Sequence, residues 1–198
     1  VLNNSEISLE FKNVNFRYAH AERRALESIN LNLHSGQTLA IIGGTGAGKS
    51  TLINLIPRLY DIESGKVRLN GIDISKLPQS QLHEQVSFVQ QKAFLFKGTI
   101  RSNLQVGKPD ATEKEMWHAL EVAQATEFVN ELDSGLDSVV EHNGANFSGG
   151  QRQRLAIARA LIKPAAIYIF DDSFSALDFK TDAKLRKALA NDNKISHS

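Results

Sequence analysis

A nine-residue stretch early in the chain has the residue types and spacing of a phosphate-binding loop. It reads Gly43-Gly44-Thr45-Gly46-Ala47-Gly48-Lys49-Ser50-Thr51 and fits the pattern G-x-x-x-x-G-K-[ST]. Glycines let backbone N–H groups approach an anion closely, and the helix that follows adds its positive dipole end. Lys49 would place a cation on the outer phosphates, and Ser50 would offer its hydroxyl to Mg²⁺. The pattern therefore predicts a site for a phosphorylated ligand.

The sequence around this loop predicts a strand before it and a helix after it. Residues 38–42 are apolar and largely β-branched, as in a buried strand. Residues 52–56 open a helix, which Pro57 would kink or end early. This strand–loop–helix order favours a phosphate site over the plainer alternative, a glycine-rich turn between two core elements.

Composition is typical of one globular domain, with or without an inserted lobe. The 198 residues are 41% apolar and 23% charged, and a formal net charge of +1 gives no reason to expect a nucleic-acid partner. Cysteine is absent, which excludes disulfides and cysteine metal sites. No apolar run approaches the ~20 residues that cross a bilayer, and no signal-peptide pattern is present, so we expect a soluble, cytosolic chain.

Alternating apolar and polar residues predict strands on both sides of the loop. Residues 7–18 alternate in two pieces, and residues 26–34 and 66–70 alternate again, so we predict antiparallel strands with one wet face. Tyr18 ends the first run. Its ring could stack on a nucleotide base or pack on its neighbours, and the local sequence favours neither alternative.

Two further short strands end in polar residues that could act on a phosphate. Residues 86–90 are followed by Gln91, which could coordinate Mg²⁺ or orient a water, or could be a solvated loop residue. Residues 165–170 are followed by Asp171 and Asp172. The first carboxylate could hold the Mg²⁺ water shell, and the second could orient or deprotonate an attacking water.

The region between these strands is predicted to be largely helical and to end in a second anion site. Residues 99–135 have helical spacing, with Thr112 as an N-cap and Glu115 in the capping-box position. Ser148 can cap a long helix whose first residues are Gly149, Gly150 and Gln151. Both anion sites face one ligand, or the second serves a ligand held by another molecule.

Taken in order, these motifs resemble the nucleotide-binding domain of ABC transporters, specifically of exporters. Phe147 stands where the family usually has Leu, and Tyr18 falls where the family has an adenine-stacking aromatic. The matching segments are residues 43–50 with the Walker A loop, Gln91 with the Q-loop, residues 147–151 with the signature motif, residues 167–171 with Walker B and residues 175–178 with the D-loop.

The resemblance implies an α/β fold: a P-loop NTPase (RecA-like) core with an antiparallel β-subdomain and an inserted α-helical subdomain. One domain would span residues 1–198, with residues 1–91 and 151–198 forming the β-lobe and core and residues 92–150 the helical subdomain. It implies an ATPase that binds ATP or ADP with Mg²⁺. It also implies a second nucleotide-binding domain arranged head to tail, and transmembrane domains that place this chain on the cytoplasmic face of the membrane.

The resemblance also assigns roles to individual residues. Catalysis would fall to Lys49, Gln91 and Asp172, and the metal to Ser50, Gln91 and Asp171. The residues that would contact nucleotide are Tyr18, Gly43, Gly44, Thr45, Gly46, Ala47, Gly48, Lys49, Ser50, Thr51, Gln91, Ser148, Gly149, Gly150, Gln151 and Asp171, of which the group from Ser148 to Gln151 would contact ATP held by a partner.

Three departures from the family pattern shape these expectations. Asp172 replaces the usual Glu, which withdraws the carboxylate by about 1.5 Å from where a general base needs it. The resemblance therefore implies slow hydrolysis and the degenerate-site subunit of a heterodimeric bacterial exporter. We also expect the chain to stop before the strand of the switch histidine, and we interpret His197 as a tail residue. Glu141 is displaced by one position from the Glu-x-Gly of exporters, which weakens the expected coupling to transmembrane domains.

Two alternatives come from other functional classes. One is a soluble ABC-type ATPase that acts in DNA repair or translation. The other is a regulatory module that holds ATP without turning it over, which Asp172 favours. The near-neutral charge and the exporter-like residues 95–104 favour an exporter motor over the first alternative.

Overall fold

The computed structural model describes residues 7–44 and 46–192, and their contacts divide them into two compact units that meet in sequence between Val86 and Ser87. Thr45 and His197, both named above, lie outside the described residues. Within the described ranges, every helix is too short or too polar to cross a bilayer. The predicted helical subdomain at 92–150 stays a prediction.

The first unit is built on a four-stranded antiparallel sheet of order β2-β1-β3-β4. Its strands are β1 (Ile7–Phe16), β2 (Leu26–His34), β3 (Ser64–Leu69) and β4 (Ile72–Asp73), and its helices are α1 (Lys49–Leu55) and α2 (Gln79–Gln85). The strands predicted at 26–34 and 66–70 are confirmed, and α1 ends before Pro57. One face of the sheet is apolar and buried, as the alternating pattern predicts.

The first predicted strand region, residues 7–18, differs from expectation, because residues 7–16 form one long strand and not two pieces. Leu9 and Phe11 are buried, and burial then resumes at Val14 and Phe16. The pairing with β2 shifts between Phe11 and Val14, where Asn13 has a φ of +48°. An extra residue at this β-bulge moves the apolar alternation by one position, which made one strand look like two.

The predicted buried strand at 38–42 is not formed in the structure. These residues carry no strand pairing in the sheets described, and Ile42 is 94% exposed. A strand exists only where its backbone N–H and C=O groups bond to a neighbour. The apolar composition of 38–42 was therefore insufficient to make it a strand within this unit.

The second unit joins two small strand pairs to a helical core. Val89, Leu104, Leu120, Ile157 and Leu185 are all buried in one cluster. Strand β5 (Val86–Val89) pairs with β8 (Ile167–Phe170), and β6 (Gly98–Thr99) pairs with β7 (Val139–Val140); the helices are α3 (Ile100–Gly107), α4 (Glu113–Val122), α5 (Thr126–Asn130), α6 (Gly149–Leu161) and α7 (Phe179–Asn191).

The region predicted as helical at 99–135 contains three helices and two breaks. Helix α3 ends just before Pro109, because the residue that precedes a proline disfavours the helical backbone conformation. The predicted capping box starts α4: Thr112 accepts a bond from the Glu115 backbone, and the Glu115 carboxylate accepts one from the Thr112 backbone at 2.8 Å. Gln124, at a φ of +59°, ends α4.

The Glu115 carboxylate gives this unit a predictable dependence on acid. The hydrogen bond from Lys108, followed by those from Thr112, lowers the pKa of Glu115 from 4.5 to about 2. Because the folded pKa lies below the unfolded one, this stabilisation is present above pH 4.5 and is lost as pH falls toward 2. We expect urea unfolding to show that Glu115→Gln destabilises the chain at pH 6.5 and that this difference from wild type shrinks at pH 3.

The control for this measurement is Glu131→Gln, which removes an exposed carboxylate from the same unit. Its difference from wild type should change little over the same range. A Glu115→Gln difference that is equal at both pH values would contradict the assignment.

Candidate nucleotide-binding site

The predicted phosphate loop has the backbone that its glycines permit. Gly46 and Gly48 have φ values of +80° and +83°, a region that side chains disfavour. The Ala47 N–H donates to the Gly44 carbonyl at 3.2 Å, which closes the turn. A Cβ at Gly48 would lie 3.0 Å from the carbonyl oxygen of Ala25, so this position also has no room for a side chain. The glycine spacing is therefore required by the loop conformation itself.

Lys49 and Ser50 begin α1 directly after this loop. The Lys49 ammonium donates to the carbonyl oxygen of Gly43 and, at 2.9 Å, to that of Gly44. The ammonium thus lies against the loop that is predicted to bind phosphates. Ser50 is exposed in the first turn of α1. A phosphate ligand would exchange the two carbonyl bonds of the ammonium for bonds to its own oxygens.

Tyr18 is connected to the same helix. Its hydroxyl lies 2.7 Å from the hydroxyl of Thr51, which is buried in the first turn of α1. Tyr18 as a residue remains 37% exposed, which leaves surface for a planar ligand. Tyr60, which carries no signal in the sequence pattern, lies beside it with ring centroids 5.3 Å apart. The first unit thus holds an aromatic surface bonded to the helix of the phosphate loop.

The second unit brings together Gln91 and Asp172, two of the three residues predicted to be catalytic. The Gln91 amide donates to the Asp172 carboxylate at 3.0 Å. The strand ends make this possible, since the Asp171 N–H donates to the Val89 carbonyl at 3.0 Å and so brings the ends of β5 and β8 together. Both side chains therefore extend from one edge of a strand pair, where ligands of open α/β sheets bind.

Ser173 fastens this arrangement and was missed by the sequence analysis. It is 1% exposed, and its hydroxyl donates to the same Val89 carbonyl at 2.8 Å. Buried polar groups require such partners, so the serine links the turn after β8 to the end of β5. Its only sequence signal was its position directly after Asp171 and Asp172, which does not distinguish it from any loop serine.

The oxygen atoms predicted to hold a metal have the right chemistry for Mg²⁺. Ser50 offers a hydroxyl, Asp171 a carboxylate and Gln91 an amide carbonyl, whose NH₂ group already donates to Asp172. Mg²⁺ prefers oxygen ligands. It binds few protein residues and completes its coordination with water and phosphate oxygens. Each of these donors, considered within its own unit, is therefore of a kind that fits this ion.

The second predicted anion site lies at the start of α6. Ser148 accepts a bond from the Gln151 N–H at 3.2 Å, and the Ser148 N–H donates to the Gln151 side chain at 2.9 Å, so the predicted cap is confirmed as a full capping box. A Cβ at Gly150 would lie 3.3 Å from the carbonyl oxygen of Ala176, which favours glycine there. The N–H groups of this helix end carry the partial positive charge that attracts an anion.

Phe147, the atypical residue of this motif, belongs to the core. It is buried with its ring 6.3 Å from that of Phe128. Its carbonyl accepts a bond from Arg152 at 2.7 Å, which anchors the residue that precedes the cap. The phenylalanine therefore replaces the usual leucine as a packing group, without altering the capped glycines.

Comparison with known proteins decides what these motifs belong to. Residues 26–175 match the family model described as ABC transporter, a range that includes the phosphate loop, Gln91, the capped glycines and both aspartates. The chain belongs to the ABC transporter family. Its fold is that of the ABC ATPase domain, a P-loop NTPase, and the prediction from the ordered motifs is confirmed.

Individual ABC relatives resemble the chain over most of its length. An uncharacterized ABC transporter ATP-binding protein of Mycobacterium bovis is 50% identical over 177 residues, which are 88% of this chain and 30% of that protein. The ATP-dependent lipid A-core flippase of Desulfotalea psychrophila is 43% identical over 184 residues, which are 93% of this chain and 32% of the flippase. The chain thus spans about a third of the length of these relatives.

A solved ABC exporter has the same fold. The structure of a bacterial Atm1-family ABC exporter with ATP bound superimposes with a TM-score of 0.85 at 35% identity, covering 91% of this chain and 32% of the exporter chain. In the terms of the family, the first unit carries the predicted Walker A residues. The second unit carries the predicted Q-loop, signature, Walker B and D-loop residues.

Proposed function

We propose that this chain is the ATP-binding and ATP-hydrolysing motor domain of an ABC exporter. The observation that carries the proposal is the hydrogen bond between Gln91 and Asp172, because it pairs a carboxylate that could activate water with an amide that could orient it. Membership in the ABC transporter family supports ATP as the ligand.

In the first unit, the proposed site would hold the nucleotide from base to phosphates. The exposed ring of Tyr18 stacks on the base, and the backbone N–H groups of residues 43, 44 and 46–48 would surround the phosphates. Lys49 neutralises the outer phosphates, where charge grows during phosphoryl transfer. The Thr51 hydroxyl already has a partner in the fold, because it is bonded to the hydroxyl of Tyr18.

In the second unit, the proposed site would supply the groups that act on water. Asp171 and Gln91 would offer oxygen atoms to Mg²⁺, which when bound would neutralise phosphate charge. Asp172 takes the proton of the attacking water, and its position depends on the bond from Gln91. Its short side chain makes it a slow base, since reach decides whether a proton can be transferred.

The capped helix end at Ser148 points to a second nucleotide-binding domain. This site lies on α6, and it offers N–H groups to an anion in addition to those of the phosphate loop. We propose that it binds the outer phosphate of ATP held by a partner domain, in a head-to-tail pair. With Asp172 in its own site and intact signature glycines, this chain would be the degenerate-site member of a heterodimer.

Transmembrane domains would complete the transporter, with this chain on the cytoplasmic face. The similar Atm1-family exporter structure supports an exporter, and the lipid A-core flippase supports lipids among the candidate substrates. A small molecule, drug, lipid or peptide is the class of cargo that we propose. The relatives are about three times longer than this chain, which leaves room in such a protein for the membrane part.

The experiment that tests this function is ATP binding and single-turnover hydrolysis by the chain, alone and mixed with a partner domain that carries Glu at the position of Asp172. We expect tight Mg–ATP binding, negligible turnover alone and recovered turnover on mixing. Fast turnover by the chain alone would overturn the degenerate-site proposal. Absence of ATP binding would overturn the motor function itself.

A regulatory module that binds ATP without hydrolysing it is the second candidate. The short carboxylate of Asp172 favours it, because the chain would then retain the phosphate loop but lack an effective base. The same mixing experiment separates the two candidates. A regulatory module would bind ATP and change its partner's affinity, whereas turnover would stay absent in every mixture.

A further inference from the structure

Three aromatic rings form a cluster at the end of β1 beside the phosphate-loop helix. Phe16 is buried, whereas Tyr18 and Tyr60 are partly exposed. The Tyr18 ring lies nearly perpendicular to both of the others, at 84° to Phe16 with centroids 4.8 Å apart and at 85° to Tyr60 with centroids 5.3 Å apart. Perpendicular pairs at these separations are attractive, because the positive edge of one ring meets the negative face of another.

The position of Tyr60 is fixed by the turn that follows α1. Arg58 has a φ of +53° and its backbone N–H donates to Leu55, while the Leu59 N–H donates to Asn54 at 3.1 Å. The Arg58 side chain donates to the carbonyl oxygen of Ile74 at 2.9 Å, which binds this turn to the next segment. Tyr60 is thus presented by a rigid turn, although 43% of it is exposed.

These contacts hold Tyr18 in one orientation from three directions. The buried Phe16 ring contacts it from the end of β1, the Thr51 hydroxyl bonds its hydroxyl, and the partly exposed Tyr60 ring lies beside it. Without Tyr60, the Tyr18 ring would lose one of these three contacts. The ring could then leave the orientation in which it stacks, at the cost of one hydrogen bond.

We propose that Tyr60 is a positioning residue for base recognition, which holds the Tyr18 ring ready to stack on the base of the nucleotide. The inference rests on the proposed function, since it assumes that the first unit binds ATP. It follows that different residues determine the affinity for the base and the affinity for the phosphates of one ligand. Tyr60 acts on the affinity for the base through Tyr18, whereas the phosphate loop acts on the phosphates.

The test compares two ligands that share phosphates but differ in the base: ATP and inorganic tripolyphosphate, both with Mg²⁺, titrated into the full chain by calorimetry. Tyr60→Leu is expected to weaken ATP binding about three- to tenfold, the usual range for loss of one aromatic pair. Tripolyphosphate affinity should stay within about twofold of wild type. Tyr60→Phe should restore ATP affinity, because it keeps the ring.

A double-mutant cycle tests whether Tyr60 acts through Tyr18. Tyr18→Leu alone should weaken ATP binding, and adding Tyr60→Leu to it should cost less than about twofold more. Phe94→Leu is the matched control, since it removes an exposed ring from a perpendicular pair with Phe96, 5.0 Å apart, in the other unit. Tyr60→Met gives the same comparison with an unbranched side chain of similar length if leucine leaves the chain unfolded.

Two outcomes would overturn the inference. Equal losses for ATP and tripolyphosphate would mean that Tyr60 supports the loop and not the base. A full loss in the Tyr18→Leu background would mean that Tyr60 does not act through Tyr18. Failure of the wild-type chain to bind either ligand would instead overturn the proposed function, so the two failures are distinguishable.

Discussion

Replacing Lys49 with alanine is expected to weaken Mg–ATP binding about 10- to 100-fold and to slow hydrolysis of the ATP bound at this chain's own phosphate loop by about 100-fold or more. A hydrogen bond to a charged group is worth about 1.5–3 kcal/mol, which sets the binding loss. The larger effect on rate follows because negative charge shifts toward the outer phosphate oxygens in the transition state. Calorimetric titration and single-turnover hydrolysis measure the two effects.

The location of Lys49 makes this a specific test. Its ammonium bonds only backbone carbonyls of the loop, at Gly43 and Gly44, among the contacts described. Removal should therefore change the free energy of unfolding by no more than about 0.5 kcal/mol, as at most surface positions. Lys12→Ala, which removes an exposed lysine from β1 at equal cost in net charge, should leave ATP affinity unchanged. Equal losses in both variants would indicate long-range electrostatics and contradict a direct role.

The sequence was sufficient to predict the sites whose function depends on local backbone geometry. The glycines at 46 and 48 occupy left-handed conformations that few other residues accept, so their spacing is visible in the sequence. The cap at Ser148 is equally local, because its partner Gln151 lies three residues away. Such features involve neighbours in the chain, and a linear pattern records them.

The features that the sequence could not predict depend on neighbours far along the chain. Tyr60 contacts a ring 42 positions earlier, at Tyr18, and Ser173 bonds the carbonyl of Val89. Neither contact leaves a periodic or spaced signal, since either residue alone looks like a loop residue. The strand predicted at 38–42 is absent because strand formation also depends on a distant neighbour. Its composition was suitable, but a local pattern does not specify the segment with which it would pair.

The backbone at Asp172 explains why aspartate suits this position structurally. Its φ is +46°, a left-handed conformation that Asp and Asn adopt more readily than longer side chains. Its carbonyl accepts a bond from the Ser175 hydroxyl at 2.9 Å, which stabilises the turn after β8. Backbone preference therefore favours Asp, whereas the reach required of a general base favours Glu. The two requirements can be separated by experiment.

Asp172→Glu is expected to raise turnover of the ATP bound at this chain's own site about tenfold or more, while lowering stability by about 0.5 kcal/mol. One added methylene moves the carboxylate about 1.5 Å outward, into the range where it can accept a proton from the attacking water. The small loss of stability reflects the poorer fit of Glu to a left-handed backbone. Single-turnover hydrolysis of this variant measures the expected gain in rate, and urea unfolding of the same variant measures the expected loss of stability.

Two companion variants give this result its meaning. Asp110→Glu adds the same methylene to an exposed carboxylate far along the chain and should leave turnover unchanged. Asp172→Asn keeps the size of the side chain and can still accept the Gln91 bond through its carbonyl oxygen, but it lacks a base. The residual turnover at this chain's own site should therefore fall about tenfold or more. If turnover neither rises in Asp172→Glu nor falls in Asp172→Asn, another group activates the water. The degenerate-site assignment would then lose its physical basis.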